Sequence, residues 1–287
     1  MFKPAVAVIF ATACVLAGPS AAQADGPTLA RIKAAKAINV AYSADSPPFS
    51  SVSASGAPDG YSIALCQRVI AAVGLAVGEP NLKVNWMPGS VSERLQFVAG
   101  GRADIECANT TQTQSRMGSV DFSSLIFVDA GGVLVKAGAP INRAADLAGK
   151  TVVVLKGTTM QARLAEVLRS GQIAATVKPV DTAADALAML ESGAADAFAG
   201  DKIKLTALAL MTKEPDRMAL LVADLSYEPY ALALPRNDSA FRLVVNKALS
   251  QVYLSPDIDT IYAQWLGPLG RPSNVLALMF LLNVIPE

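Results

Sequence analysis

The chain contains no histidine and only three cysteines in 287 residues. That removes most of the side chains from which zinc sites are built, so no metal centre and no cofactor are expected. It has no surplus of positive charge, with 24 lysines and arginines against 24 aspartates and glutamates. Nothing in that balance asks for nucleic acid or an anionic membrane surface. It also lacks an apolar run as long as a bilayer span: the N-terminal stretch at residues 5–17 falls short of the ~20 residues required.

That N-terminal stretch is instead laid out as a secretory signal peptide. Lys3 supplies the positive region, residues 5–17 the apolar region, and Ala22-Gln23-Ala24 a small-x-small cleavage site, so cleavage is expected before Asp25. Cys14 invites a lipoprotein reading, but Ala11-Thr12-Ala13 before it lack the leucine such signals carry. Removing residues 1–24 takes away one lysine and no acid, leaving a net charge of −1 and two cysteines, Cys66 and Cys107. In an oxidising compartment an even pair favours a bridge; two buried thiols are the other possibility.

About 263 mature residues exceed one ordinary core and predict two lobes. Short strands alternate with helices: strands at residues 38–42, 83–87 and 103–107, helices at 63–73 and 92–99. The pattern then restarts, with strands at 151–155, 176–180 and 195–199 and helices at 160–168 and 183–191. The fold class is therefore α/β with mostly parallel sheets, built from two similar modules. Apolar extended segments at 131–136 and 230–235 lie where the modules would join. The apolar stretch 275–285 is too short for a tail anchor and is interrupted by Asn283, so a packed helix is expected.

Ligands of open α/β sheets sit beyond the carboxyl ends of strands. Three loops qualify. Asn109-Thr110-Thr111 follows the strand at 103–107, with Arg116 five residues beyond Thr111. Gly157-Thr158-Thr159 opens a helix, where threonine serves equally well as an ordinary cap. Asp201 follows the strand at 195–199 and could also be a solvated loop residue, as Arg116 could be a surface charge.

Taken in order, several motifs resemble one family from residue 38 to the end of the chain. They are Ser46-Pro47-Pro48-Phe49-Ser50, Asp59-Gly60-Tyr61-Ser62-Ile63, the run 104–116, Asp146-Leu147-Ala148-Gly149-Lys150, Gly157-Thr158-Thr159, Leu190-Glu191-Ser192-Gly193 and Asp201. The chain resembles the periplasmic solute-binding proteins of polar amino acid ABC transporters, family 3, and within them the glutamate/aspartate-binding branch. The resemblance implies a two-lobed, type II periplasmic binding protein fold with two hinge crossings. Residues 25–131 and 235–287 would form lobe one, and 132–234 lobe two with the hinge strands. It further implies a Cys66 to Cys107 disulfide and a free L-amino acid as ligand. Asn109, Thr111 and Arg116 would meet its α-carboxylate on lobe one, Thr158 and Thr159 would clamp it from lobe two, and Asp201 would pair with its ammonium. An inner-membrane ABC permease is the implied partner, and a monomer the implied state.

The acidic-side-chain subsite departs from the branch. Ser43 stands where the branch carries an arginine, and Thr182 where it carries a histidine. Arg94 matches a basic position and would hold a distal carboxylate alone, unless it is a solvated helix arginine. Val91 lies by the pocket wall, where an apolar contact suits an aliphatic or aromatic side chain better than a charged one. A polar neutral ligand therefore stays open beside glutamate and aspartate. Cyclohexadienyl and arogenate dehydratases resemble the same receptors and give the alternative of an enzyme, with Glu106 or Glu228 as its general acid.

Overall fold

The computed structural model describes residues 26–221 and 224–286; the expected signal peptide and its cleavage site lie outside them. Twelve strands are described: β1 (Ala37–Tyr42), β2 (Asp45–Ser46), β3 (Ser50–Val52), β4 (Pro58–Asp59), β5 (Lys83–Pro88), β6 (Ile105–Cys107), β7 (Asp121–Lys136), β8 (Thr151–Leu155), β9 (Thr176–Val180), β10 (Ala197–Asp201), β11 (Met218–Leu220) and β12 (Ser226–Leu234). The helices are α1 (Pro27–Ala35), α2 (Tyr61–Val77), α3 (Val91–Ala99), α4 (Thr159–Ser170), α5 (Ala183–Ser192), α6 (Lys202–Leu210), α7 (Ser239–Tyr253), α8 (Asp257–Trp265) and α9 (Asn274–Leu282).

Local chemistry sets several ends. Helix α3 opens on a capping box, Ser90 with Glu93, and α4 and α5 open on threonine caps, Thr158 and Thr182. Helix α2 runs to Val77, beyond the expected 63–73, because Val77 is still buried and Gly78 supplies the left-handed cap.

The strands form one nine-stranded sheet in the order β5-β1-β6-β12-β7-β10-β8-β9, with β11 also on β7, and a small ribbon β2-β3-β4. Pairing is parallel within β5-β1-β6 and within β10-β8-β9. It is antiparallel around β7 and β12, which run through the middle of the sheet. Two lobes result, each a parallel set flanked by its own helices, joined by the two long antiparallel strands.

The cores show where the chain crosses. Along β7, Phe127 belongs to the core of lobe one and Val133 to that of lobe two, so the first crossing overlaps the expected segment 131–136. Gly131 pairs with both Ser226 and Asp201. A Cβ there would lie 2.0 Å from Met160 Cε and 2.2 Å from Ser226 Oγ, so the crossing is tightly packed. The second crossing falls between Leu225, in lobe two's core, and Tyr230, in lobe one's. That is just ahead of the expected 230–235, because β12 is already in register with β7 from Ser226.

The returning C-terminal segment packs on lobe one: Leu276 and Met279 of α9 enter its core, and Asn283 Oδ1 accepts from the Leu125 amide at 3.1 Å. No helix among the described residues is long and apolar enough to cross a membrane. Cys66 of α2 and Cys107 of β6 form a disulfide with Cα atoms 6.2 Å apart, which ties the first long helix to the strand that leads into the ligand loop.

Candidate functional site

Four strand ends face one another across the gap between the lobes: β1 delivers Ser43, β6 delivers Asn109, β8 leads to Thr158 and β10 ends on Asp201. With the start of α3 and α6 they enclose a cavity of about 60 Å³, several times the ~10–15 Å³ that a single water needs.

Around Asp201 the two lobes meet. Asn109 Nδ2 and the Tyr230 hydroxyl both donate to Asp201 Oδ2, at 3.2 and 2.7 Å. Desolvation and the nearby Glu228 carboxylate raise Asp201 to about 6, against the opposing pull of Tyr230, Lys204 and Arg116. Behind it, Asp129 on β7 is buried and pushed up to about 7 by desolvation and by Asp201. The Tyr230 hydroxyl lies 3.2 Å from Asp129 Oδ2 as well.

Thr111 and Thr159 both donate to Glu228 Oε2, at 2.6 and 2.7 Å, and Ser226 donates to Oε1. Glu228, buried on the hinge strand β12, therefore fixes the hydroxyls of both lobes. Arg116 donates to Thr111 O at 2.7 Å and to Gly157 O of lobe two at 3.3 Å. Burial lowers its pKa, opposed by Glu106, Glu228 and Asp201. Asn109, Thr111, Arg116, Thr158, Thr159 and Asp201 thus all line the one cavity. The Thr158 hydroxyl is spent locally, accepting from the Gln161 amide and donating to Leu155 O.

A second polar group lines the same cavity. Arg94 is only 2% exposed and is not a solvated helix arginine. Its Nε donates to Glu106 Oε1 at 2.8 Å and its Nη1 to Gly89 O at 2.7 Å. Glu106 is fully buried; Thr110 also donates to its Oε1, while Oε2 has no hydrogen-bond partner among the described residues. Ser43 donates to Asp45 Oδ1 at 3.1 Å and lies 2.8 Å from Ser46 Oγ. Lys204, from lobe two, donates to Ser46 Oγ at 2.9 Å. Asp45 Oδ2 accepts from the Ala183 amide at the start of α5, also across the gap. Val91 is on the wall, whereas Thr182 is not: its hydroxyl caps α5 through Asp185.

Residues 38–268 match the family of bacterial extracellular solute-binding proteins, family 3. The chain belongs to this family. It is 33% identical over 254 residues to a protein of Pseudomonas aeruginosa named L-glutamate/L-aspartate-binding protein, covering 88% of this chain and 84% of that one. Among solved structures it is similar to an ancestral arginine-binding protein bound to glutamine, with 27% identity, a TM-score of 0.72, and 81% and 98% of the two chains covered. It is also similar to an ancestral amino acid-binding protein described as a precursor of cyclohexadienyl dehydratase, at 25% identity and a TM-score of 0.71, covering 83% of this chain and 98% of that one.

For this family 3 protein, sequence reasoning passed over Asp45, Ser46, Lys204 and Tyr230. A usable signal existed for Lys204, three residues beyond Asp201 and so on the same side of the helix that Asp201 begins. Tyr230 carried none, since an apolar hinge segment gives no reason to aim one hydroxyl at two carboxylates.

Proposed function

We propose that this chain is a periplasmic receptor that closes its two lobes on a free L-amino acid and presents the closed form to an inner-membrane ABC permease. The observation that carries the reading is the convergence, on one interlobe cavity, of a carboxylate with a cation and hydroxyls. Asp201 suits an α-ammonium and the Arg116 guanidinium an α-carboxylate, with Thr111 and Thr159, whose hydroxyls Glu228 fixes, and Asn109 and Thr158 beside them. A zwitterion satisfies both groups together, and few other small metabolites do.

The moving bodies are residues 25–131 with 235–287, and residues 132–234, hinged at the two crossings. Thr159 and Asp201 belong to lobe two, so they add their contacts only after the ligand has seated on lobe one. A ligand with equal affinity for open and closed forms would shift nothing. The names of the relatives favour glutamate, aspartate or a related polar amino acid. Secretion with cleavage before Asp25 and a monomeric state complete the reading.

A dehydratase is the competing reading, supported by the similarity to the dehydratase precursor. Its two candidate acids are already committed: Glu106 to Arg94 and Thr110, and Glu228 to Thr111, Thr159 and Ser226. Thermal unfolding of the mature protein with each common L-amino acid separates the readings. At 100 times its dissociation constant a ligand adds ~2.7 kcal/mol, a shift of several degrees. Stabilisation by amino acids without turnover of prephenate or arogenate is expected; turnover, or silence across the amino acid panel, would contradict it.

A further inference from the structure

Two buried cations face the cavity, and only one of them has a direct ion pair among the described residues. Arg94 is compensated by Glu106 at 2.8 Å, with both side chains almost fully buried. Lys204 is 6% exposed, yet its one side-chain hydrogen bond among the described residues is to a neutral acceptor, Ser46 Oγ. It forms no ion pair among the described residues, and its ammonium has three N–H groups to place. Asp45 and Asp201 both act on it through space, but neither forms an ion pair with it among the described residues: the Asp45 oxygens are held by the Ser43 hydroxyl and the Ala183 amide, and Asp201 Oδ2 by Asn109 and Tyr230. A buried ammonium with one direct hydrogen bond for three N–H groups keeps donors that a ligand can complete.

We propose that Lys204 is the specificity-determining residue for the ligand side chain, taking the distal carboxylate of an acidic L-amino acid against its ammonium. This rests on the receptor reading above. The carboxylate lodges between Lys204, the remaining guanidinium N–H groups of Arg94 and the hydroxyl of Ser46, beside Ser43, all of which line the cavity. Because Lys204 comes from lobe two and Ser43, Ser46 and Arg94 from lobe one, an acidic side chain is bridged across the gap. It therefore favours the closed form, which a side chain without a distal acceptor would not do. An amide could accept one hydrogen bond there but would bring no charge to meet the ammonium.

Calorimetric titration of the mature protein with L-glutamate, L-aspartate, L-glutamine and L-asparagine tests this, on the wild type and on Lys204→Met, Lys204→Arg and Ser46→Ala. Thermal unfolding of each confirms the fold. The wild type is expected to prefer the acids to their amides. Lys204→Met should lose the acids by on the order of 10- to 100-fold and the amides much less, collapsing the preference. Lys204→Arg, which keeps the charge, should retain it. An equal loss for all four ligands in Lys204→Met, reproduced by Ser46→Ala, would mean that Lys204 only latches the lobes. A wild type that prefers the amides would overturn the proposal while leaving the receptor reading intact. If none of the four binds but another amino acid does, only the acidic assignment fails; if no amino acid binds at all, the receptor reading fails with it.

Discussion

Arg94 and Lys204 make an instructive pair, since both are buried cations on the wall of the same cavity and their surroundings differ in kind. Arg94 holds a carboxylate and a carbonyl of its own lobe, and its partner Glu106 sits on the strand that leads into the ligand loop. Lys204 reaches across the gap to a single hydroxyl. A charge with a built-in counter-ion serves mainly to set the geometry of a site, even where some of its N–H groups remain for a ligand. A charge left short of partners, on a surface that moves, is positioned to read what enters. The difference shows how a fold can hold one cation as scaffold and expose another to ligand within one cavity.

The sharpest way to break the comparison is to remove the built-in partner. Glu106→Gln leaves Arg94 as a buried charge without its counter-ion and should lower the unfolding free energy by about 3–5 kcal/mol in denaturant titrations. Lys204→Met should cost the ligand-free protein less than this, since it breaks one hydrogen bond to a hydroxyl and no direct ion pair among the described residues, with little change of volume. Equal losses from the two substitutions would erase the distinction. The disulfide holds the strand carrying Glu106, so its removal is the next largest effect. Cys66 and Cys107 are 41 residues apart, which in the chain-entropy model is worth about 4 kcal/mol, or roughly 10 °C in the midpoint. Replacing both by alanine and following thermal unfolding measures it; an unchanged midpoint would show that packing alone fixes β6 to α2.

The anionic groups of the cavity respond to pH. Asp129 and Asp201 titrate at about 7 and about 6 in the folded protein, above the ordinary 3.8. The folded state therefore binds more protons than the unfolded chain through this window. Their contribution to the stability of the ligand-free protein should fall as pH rises from about 4 to about 7. Binding runs the other way, because an α-ammonium pairs with ionised Asp201. Affinity should improve about tenfold between pH 5 and pH 7, and titrations showing no pH dependence would remove Asp201 from the ammonium's partners. Smallest is Thr182→Ala, which should cost ~1 kcal/mol as a lost helix cap and leave ligand preference alone, since Thr182 does not line the cavity.

The alternation of strands and helices was readable because β-branched runs such as Thr151–Leu155 and periodic apolar helices announce themselves. So were the strand-end loops, whose small hydroxyl and amide residues have few other uses. The ribbon formed by β2, β3 and β4 was not, because its segments are two or three residues long and rich in serine, proline and aspartate. That ribbon carries Asp45 and Ser46 into the cavity. The Arg94 to Glu106 pair was hidden for a different reason: the two lie twelve positions apart on a helix and a strand, and only packing buries them together. Lys204 sits among Lys202-Ile203-Lys204, which reads as a solvated helix start, and lobe contact alone makes one of those lysines a buried charge. The second crossing lies ahead of its expected segment because strand register, which hydropathy does not encode, decides where β12 enters lobe one.

The most direct test of the receptor reading compares L-glutamate with glutarate, which keeps both carboxylates and lacks the ammonium, by calorimetry on the wild type and on Asp201→Asn. The wild type is expected to bind glutamate at least about 100-fold more tightly than glutarate, and Asp201→Asn to remove most of that difference. Equal binding of the two by the wild type, or a preference untouched by Asp201→Asn, would contradict it.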